Sequence, residues 1–364
     1  MLENFHRSVT EAGIAFEAED GDLSGSALSL LRLQRVYGLK AFDMAQGDYL
    51  GHKGPALSPV DAYEIGQVAF MVSRLNDSLE WLNASLRLMS NLPAQSGIKL
   101  SSTTVKALMG RVHLYGGSYD IAQRLYDEVK VTDPHGGDTV ELGKELVERP
   151  TPKLQEYQDY RNLSRLCSLE NRIHVPNPSH PSMVCRYRPG LLPYYRFKEE
   201  IISERPFASV IYNFTSDAEA ETFKDRVKNR TVNYGLGGHY SVHLDAFEDK
   251  RTIEDRRKGP GNRIATLLLY LSDVTRGGST VFTKADIAVP PIKNMALFWY
   301  NYRPDHHLDY LTYHAGCPVV IGHKWIANKW VWTAGNTFRR RCALSPHASQ
   351  LDIEADMRNS YLPL

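Results

Sequence analysis

Residues 233–245 read NYGLGGHYSVHLD, a glycine-rich turn running into a segment that ends on His243 and Asp245. In an extended strand, residues two apart face the same side. This imidazole and this carboxylate can therefore present to one point. A distant histidine on a facing strand would complete a two-histidine, one-carboxylate set. Such a set takes one face of an octahedral Fe(II) ion and leaves three positions open, enough for a cosubstrate and O₂. His314 is the candidate for that third ligand.

A His-x-Asp pair alone is weak evidence. Among 13 histidines, about one such pair arises by chance. A second one, His307-Leu-Asp309, lies in the polar, non-alternating stretch Arg303–Asp309 and reads as an accidental loop match. The surroundings of the first carry more weight. Short β-branched and aromatic runs occur at Ser209–Phe214, Thr231–Tyr234, Ile264–Leu271, Ala296–Tyr300, Cys317–Ile321 and Lys324–Trp332. Glycine turns at Gly235–Gly238, Gly259–Gly261 and Gly277-Gly278 separate several of them. Many short strands with glycine turns predict a β-sandwich or jelly roll over residues 200–345.

Lys324 lies ahead of Trp325 and Ile326 in the last of these runs. Inside an apolar barrel an isolated ammonium is costly and needs an anion partner. A dicarboxylate such as 2-oxoglutarate would supply one, its 2-oxo acid end on the metal and its far carboxylate on Lys324. The plainer alternative is a lysine that snorkels to the surface.

The N-terminal half reads differently. Ser58-Pro59-Val60-Asp61 is a helix start, with Ser as cap, Pro at the first helical position and Asp61 reaching back to the cap amide. Helical spacing follows through Ile65, Ala69, Val72, Leu75, Leu79, Leu82 and Leu86. A second pair begins near Thr103 and places Gly110, Ala122, Tyr126 and Pro134 where a tetratricopeptide (TPR) repeat has its small, small, aromatic and terminating residues. Gly66, Ser78 and Leu82 hold matching offsets in the first pair. A plain helical hairpin bundle is the alternative. The predicted organisation is α+β and multidomain. It has a mixed segment (1–56), a TPR-like domain (57–140), a loop-rich linker (141–199) with seven prolines between Pro150 and Pro193, a β domain (200–345) and a tail (346–364).

Composition narrows the function classes. The chain has 364 residues and a formal net charge of +1, which argues against a dedicated nucleic-acid binder. No apolar run reaches the length of a membrane span, and no secretory signal is visible in the opening residues. Cys167, Cys185, Cys317 and Cys342 include no Cys-x-x-Cys pair, so a zinc ribbon is not expected. They are either four thiols or two disulfides. Five glycosylation sequons, at Asn76, Asn83, Asn162, Asn213 and Asn229, lean toward a secretory setting.

GNRIATLLLYLSDVTRGGSTVF (261–282), MALFWYN (295–301) and HAGCPVVIGHKWIANKW (314–330), with NYGLGGHYSVHLD, form an ordered set. It closely resembles the α subunit of collagen prolyl 4-hydroxylase, a family of Fe(II)- and 2-oxoglutarate-dependent dioxygenases. The segment 57–135 resembles that family's peptide-substrate-binding domain. The resemblance implies a TPR-like domain followed by a double-stranded β-helix, or jelly roll. It also implies Fe(II) on His243, Asp245 and His314, and the distal carboxylate of 2-oxoglutarate on Lys324. Tyr234 and Thr266 match positions lining the cosubstrate pocket, and Trp330 one near the peptide site. Cys167–Cys185 and Cys317–Cys342 match the family's two disulfides.

The implied reaction hydroxylates proline in collagen-like, proline-rich peptides, consuming O₂ and 2-oxoglutarate with L-ascorbate in support. Protein disulfide isomerase is the implied partner, and the endoplasmic reticulum lumen the implied location. Tyrosines 115, 119 and 126 are candidates for docking prolines. Trp332 departs from the pattern, since the family usually has histidine there. That departure keeps open a catalytically weak paralogue that binds peptides or partners. A related lysyl hydroxylase is the other alternative, but those enzymes use Arg where Lys324 stands.

Overall fold

The computed structural model describes residues 20–91, 99–152, 161–169, 172–178, 183–190, 194–226, 231–249, 259–336, 342–343, 345 and 347–360. The opening residues expected to hold no signal, the Asn229 sequon, most of the break at 91–97 and parts of the 141–199 stretch lie outside them. The chain divides into two units, Met1–Asp159 and Tyr160–Leu364.

The first unit is helical. Its elements are α1 (Asp20–Tyr37), α2 (Ala41–Ala45), a two-residue hairpin of β1 (Asp48–Tyr49) and β2 (His52–Lys53), α3 (Pro59–Met71), α4 (Leu75–Ser90), α5 (Ser102–Tyr115), α6 (Tyr119–Thr132) and α7 (Gly137–Glu148). The start of α3 is the capping box read from the sequence. Ser58 Oγ accepts from the Asp61 amide and the Asp61 carboxylate accepts from the Ser58 amide. Each hairpin closes on a small residue. A Cβ on Gly66 would sit 3.0 Å from Leu82, and Ser78 donates to the Gly66 carbonyl at 2.7 Å. Gly110 faces Leu142, and the fully buried Ala122 lies in the same core.

Tyr119 and Tyr126 pack into that core, and Gly143 lies against the Tyr126 ring. Tyr115 instead meets Phe70 edge-on at 5.4 Å, beside Arg111. Helix α7 occupies 137–148 and runs across the expected boundary at 140 into the stretch read as a loop-rich linker, because Thr139, Leu142 and Leu146 recur at helical spacing.

The second unit is built on two antiparallel sheets. The larger runs β3 (Cys185–Pro189), β4 (Arg196–Ser203), β5 (Ala208–Tyr212), β12 (Ala296–Tyr300), β8 (Arg263–Tyr270), β15 (Lys324–Trp332) and β6 (Thr231–Tyr234). The smaller runs β11 (Ile287–Val289), β10 (Thr280–Phe282), β13 (His314–Gly316) and β7 (Tyr240–His243). β9 (Val274–Gly277) pairs with β14 (Val319–Gly322). Gly277 and Gly278, at φ +82° and +75°, make the turn into β10 that a side chain would strain.

One core joins the sheets. Val210, Leu268, Tyr270, Leu297, Trp299 and Ile326 from the larger pack with Phe282, Ile287 and Val289 from the smaller. Helix α9 (Asp217–Arg226) covers the outer face of β8 and β12 through Ala220. The tail, featureless in the sequence, forms α10 (Gln350–Ser360), whose Glu354 pairs with Arg186 on β3.

The cysteine pairing implied by resemblance does not hold. The disulfide joins Cys167 to Cys317, while Cys185 and Cys342 are exposed thiols. Helix α8 (Arg161–Cys167) packs on β10 and β11 and so brings Cys167 to the end of β13, with Cα atoms 5.6 Å apart. Cys185 instead sits on the edge strand β3, opposite Glu200.

A Cβ on Gly110 would fall 2.6 Å from Leu142. Gly110→Val should push α5 and α7 apart and lower the helical unit's stability by about 1–3 kcal/mol. Chemical denaturation followed by far-UV circular dichroism checks this; an unchanged midpoint would mean the helices do not need that close approach.

Candidate metal centre

β7 and β13 pair so that His243 lies directly opposite His314, their ring centroids 4.2 Å apart. Asp245 follows just past the end of β7 and is buried. Its Oδ1 lies 3.5 Å from His243 Nε2 and its Oδ2 3.9 Å from His314 Nε2. One ligand atom from each of the three residues lies within 4.8 Å of the others. The three predicted ligands thus converge on one point.

The backbone fixes which nitrogen faces that point. His243 Nδ1 is 2.9 Å from the Ser241 carbonyl and His314 Nδ1 is 2.9 Å from the Thr312 carbonyl. A carbonyl can only accept, so each Nδ1 carries the proton and each Nε2 turns its lone pair inward. Burial pushes His314 down to about 4, outweighing the attraction of Asp245. The imidazole is therefore neutral, as a metal ligand must be. Burial works against the Asp245 carboxylate. The neighbouring His243 and His314 imidazoles and the Thr266 hydroxyl together outweigh it and hold the group down at about 2, ionised at neutral pH.

Asp245 is set by a buried relay. Thr266 Oγ1 donates to Asp245 Oδ2 at 2.6 Å, Asn301 Nδ2 donates to Thr266 Oγ1 at 3.2 Å, and Trp299 Nε1 donates to Asn301 Oδ1 at 2.8 Å. The Asn262 side chain then clamps Phe247 by both its backbone N–H and its carbonyl. Thr266, expected to line the cosubstrate pocket, commits its hydroxyl to the carboxylate ligand.

Lys324 opens β15 directly opposite Tyr234 and is only 2% exposed. Its Nζ donates to Thr280 Oγ1 at 3.4 Å and lies 5.9 and 5.7 Å from the Tyr234 and Tyr270 ring centroids. No carboxylate among the described residues compensates it, and burial alone pushes it from 10.5 down to about 7. A Cβ on Gly316 would lie 3.7 Å from this Nζ, so any longer side chain there would fill the space before the ammonium. The residues therefore fit a divalent metal with two imidazoles and one carboxylate, and beside it a ligand bearing a carboxylate for Lys324. Tyr234 stands at the Lys324 end of the site, its phenol pushed up to about 12 by burial and by Tyr240, hence neutral.

Three contributors were not read from the sequence. Thr280, which also accepts from the Tyr270 hydroxyl at 2.8 Å, and Asn301 look like ordinary strand residues until the sheets are folded together. Tyr240 is half-exposed and lies 4.3 Å from the His243 ring. A register shift between His314 and Gly316 breaks the regular alternation along this pair of strands. Nearby, the Arg263 guanidinium lies over Trp330 at 3.7 Å, Phe247 at 4.8 Å and Trp332 at 5.2 Å, and donates to the Asp245 carbonyl at 3.3 Å. The second His-x-Asp does not converge: Asp309 accepts from the Leu311 amide and His307 pairs with Asp305.

Residues 230–332 match the model of the 2OG-Fe(II) oxygenase superfamily. They form a 2OG-Fe(II) oxygenase domain. The chain is similar to prolyl 4-hydroxylase subunit alpha-3 of Homo sapiens, at 26% identity over 95% of this chain and 78% of that subunit. It is also similar to prolyl 4-hydroxylase subunit alpha-2 of Caenorhabditis elegans, at 28% identity over 96% and 78%. Among solved structures, a viral collagen prolyl hydroxylase from Paramecium Bursaria Chlorella virus-1, in complex with 2OG, aligns with 34% of this chain and 94% of its own. Its TM-score is 0.30 and its identity 22%.

The buried ammonium gives the oxygenase domain a pH signature. The unfolded chain holds more protons than the folded one between about 7 and 10.5, so the ligand-free domain gains stability as pH rises through that window. Lys324→Met keeps the bulk and removes the charge. It should raise the melting temperature at pH 7 and flatten its rise between pH 7 and 10. Parallel melting profiles for wild type and variant would show that the ammonium is compensated.

Proposed function

We propose that this protein hydroxylates proline residues in proline-rich peptides as an Fe(II)- and 2-oxoglutarate-dependent prolyl 4-hydroxylase. The observation that carries the reading is the convergence of His243, Asp245 and His314 beside a buried, uncompensated Lys324. The similarity to prolyl 4-hydroxylase α subunits over nearly the whole chain supports proline as the target. The β domain reads as a jelly roll and the helical hairpins as a TPR-like peptide-binding domain, supported by the small residues Gly66, Ser78, Gly110 and Ala122 at the hairpin contacts.

When bound, Fe(II) and 2-oxoglutarate supply O₂ activation, with decarboxylation to succinate and CO₂ and transfer of one oxygen atom to a proline ring carbon. The chain's own part is positioning. His243 and His314 offer Nε2 lone pairs, and Asp245 offers a charge held ionised by Thr266 and its neighbours. Lys324, walled by Tyr234, Tyr270 and Thr280, would hold the far carboxylate of the cosubstrate. Phe282 and Trp299 pack against the His314 ring and keep water from that side. The half-exposed Tyr240 ring beside His243 is a surface against which a proline ring can lie.

Proline-rich chains already populate polyproline II, so holding one on the helical unit costs little ordering entropy. The part-buried Tyr115, edge-on to the buried Phe70 and beside Arg111, is the side chain suited to dock it there. The buried disulfide supports an oxidising compartment such as the endoplasmic reticulum lumen. The complete ligand set argues against a subunit that only binds.

Purified protein supplied with Fe(II), ascorbate, 2-oxoglutarate and a (Pro-Pro-Gly) repeat peptide should release succinate in step with a 16 Da gain on the peptide, roughly one oxygen atom. Lys324→Ala should raise the 2-oxoglutarate KM by a factor of roughly 30 or more, equivalent to about 2 kcal/mol, and leave the peptide KM unchanged. Peptide binding without turnover would replace the enzyme reading by that of a binding subunit.

Trp332 replaces the family's usual histidine with an indole against Arg263. Trp332→His should raise kcat for peptide hydroxylation while Fe(II) affinity stays constant. An unchanged kcat would show that this position does not tune turnover.

A further inference from the structure

We infer that residues 161–169 and 172–175 are a strap that positions the metal site through the Cys167–Cys317 disulfide, a reading that rests on His243, Asp245 and His314 as metal ligands. The strap is tied at four places to the sheet that carries His314. Asn162 Nδ2 donates to the Thr283 carbonyl at 3.2 Å. Arg165 forms an ion pair with Asp286. Cys167 is bonded to Cys317, three residues beyond His314. His174 exchanges both backbone hydrogen bonds with Ala288 on β11, at 2.9 and 3.0 Å.

The need for such ties follows from strand length. In the smaller sheet β10, β11 and β13 are three residues each and β7 is four. Strands this short make few ladder bonds of their own, and two of them, β11 and β7, are edges of that sheet. Yet this sheet places His314, and its β10 supplies both Thr280 to Lys324 and Phe282 to the His314 ring. The Cys317 amide donates to the Ser279 carbonyl at 2.8 Å, so the disulfide grips the junction of β10 and β13 and not a free loop. Both sulfur-bearing residues are buried, which shields the tie from solvent. The strap therefore sets where His314 stands relative to Asp245, and it belongs to the positioning machinery of the site.

The test uses Co(II) as a spectroscopic stand-in for Fe(II), titrated into the full chain and followed by visible absorption and calorimetry. Wild type should bind one equivalent, with a ligand-field spectrum that His243→Ala abolishes. Cys167→Ser should weaken Co(II) by roughly tenfold or more and alter the spectrum, at a temperature where circular dichroism shows it folded. Asp286→Asn keeps the disulfide but loses the Arg165 tie, and should shift affinity in the same direction by a smaller factor. It decides the matter if Cys167→Ser does not fold. A disulfide with a merely structural role would lower the melting temperature and leave the folded protein's affinity and spectrum alone, and that result overturns the proposal. So does non-reducing peptide mapping that links Cys167 to Cys185. A wild type that binds no cobalt overturns the metal reading itself.

Discussion

The register between β7 and β13 is the constraint on which the chemistry depends. His243 and His314 face each other only because these strands pair at that offset. A slip of one residue would turn an imidazole to the other face. The register is held mostly from outside the two strands. Trp299 and Phe282 pack on the His314 ring, and the carbonyls of Ser241 and Thr312 fix the ring tautomers. Asn262 and the Thr266–Asn301–Trp299 relay fix the loop carrying Asp245. The site is thus preorganised by neighbours outside the three ligand residues.

That preorganisation carries a cost in stability. An ionised carboxylate and an uncompensated ammonium are both buried within one small domain. Neither gains from folding in the way an apolar residue does. Asp245 is partly compensated by donors and by its imidazole neighbours, whereas Lys324 has only the Thr280 hydroxyl and two aromatic rings. The offset comes from the core between the two sheets, where Tyr270, Phe282, Leu297 and Trp299 are fully buried. Part of that same core then serves the site, since Tyr270 orients Thr280 and Trp299 orients Asn301. The aromatic residues carry a dual load, packing with their rings and directing polar groups with their O–H and N–H.

What could be read from the sequence follows the range of each interaction. The His243–Asp245 pair was legible because strand alternation is local, and the capping box of Ser58 and Asp61 because it spans one helical turn. Lys324 was legible as a charge set in an apolar run. Thr266 was visible but its bond to Asp245 was not, since that carboxylate lies in the loop after β7, 21 residues earlier in the chain. Thr280, Asn301 and Tyr240 carried no chemical flag. The cysteine pairing failed for the same topological reason. Helix α8 crosses onto β10 and β11 and brings together residues separated by 150 positions, which no local rule anticipates. Helix α10 was missed because its anchoring partner, Arg186, is equally remote.

The Trp332 departure can be placed physically. Its ring joins those of Trp330 and Phe247 around Arg263, whose guanidinium also reaches the Asp245 carbonyl. A histidine at this position would offer a titratable donor to the site. An indole instead offers an aromatic face, which holds the guanidinium by cation–π attraction. The substitution therefore exchanges a movable proton for a stiffer cation. Asp245 meets Arg263 through its backbone carbonyl. The Trp332 ring thus reaches the Asp245 loop through the Arg263 guanidinium, and its functional consequence should fall on turnover.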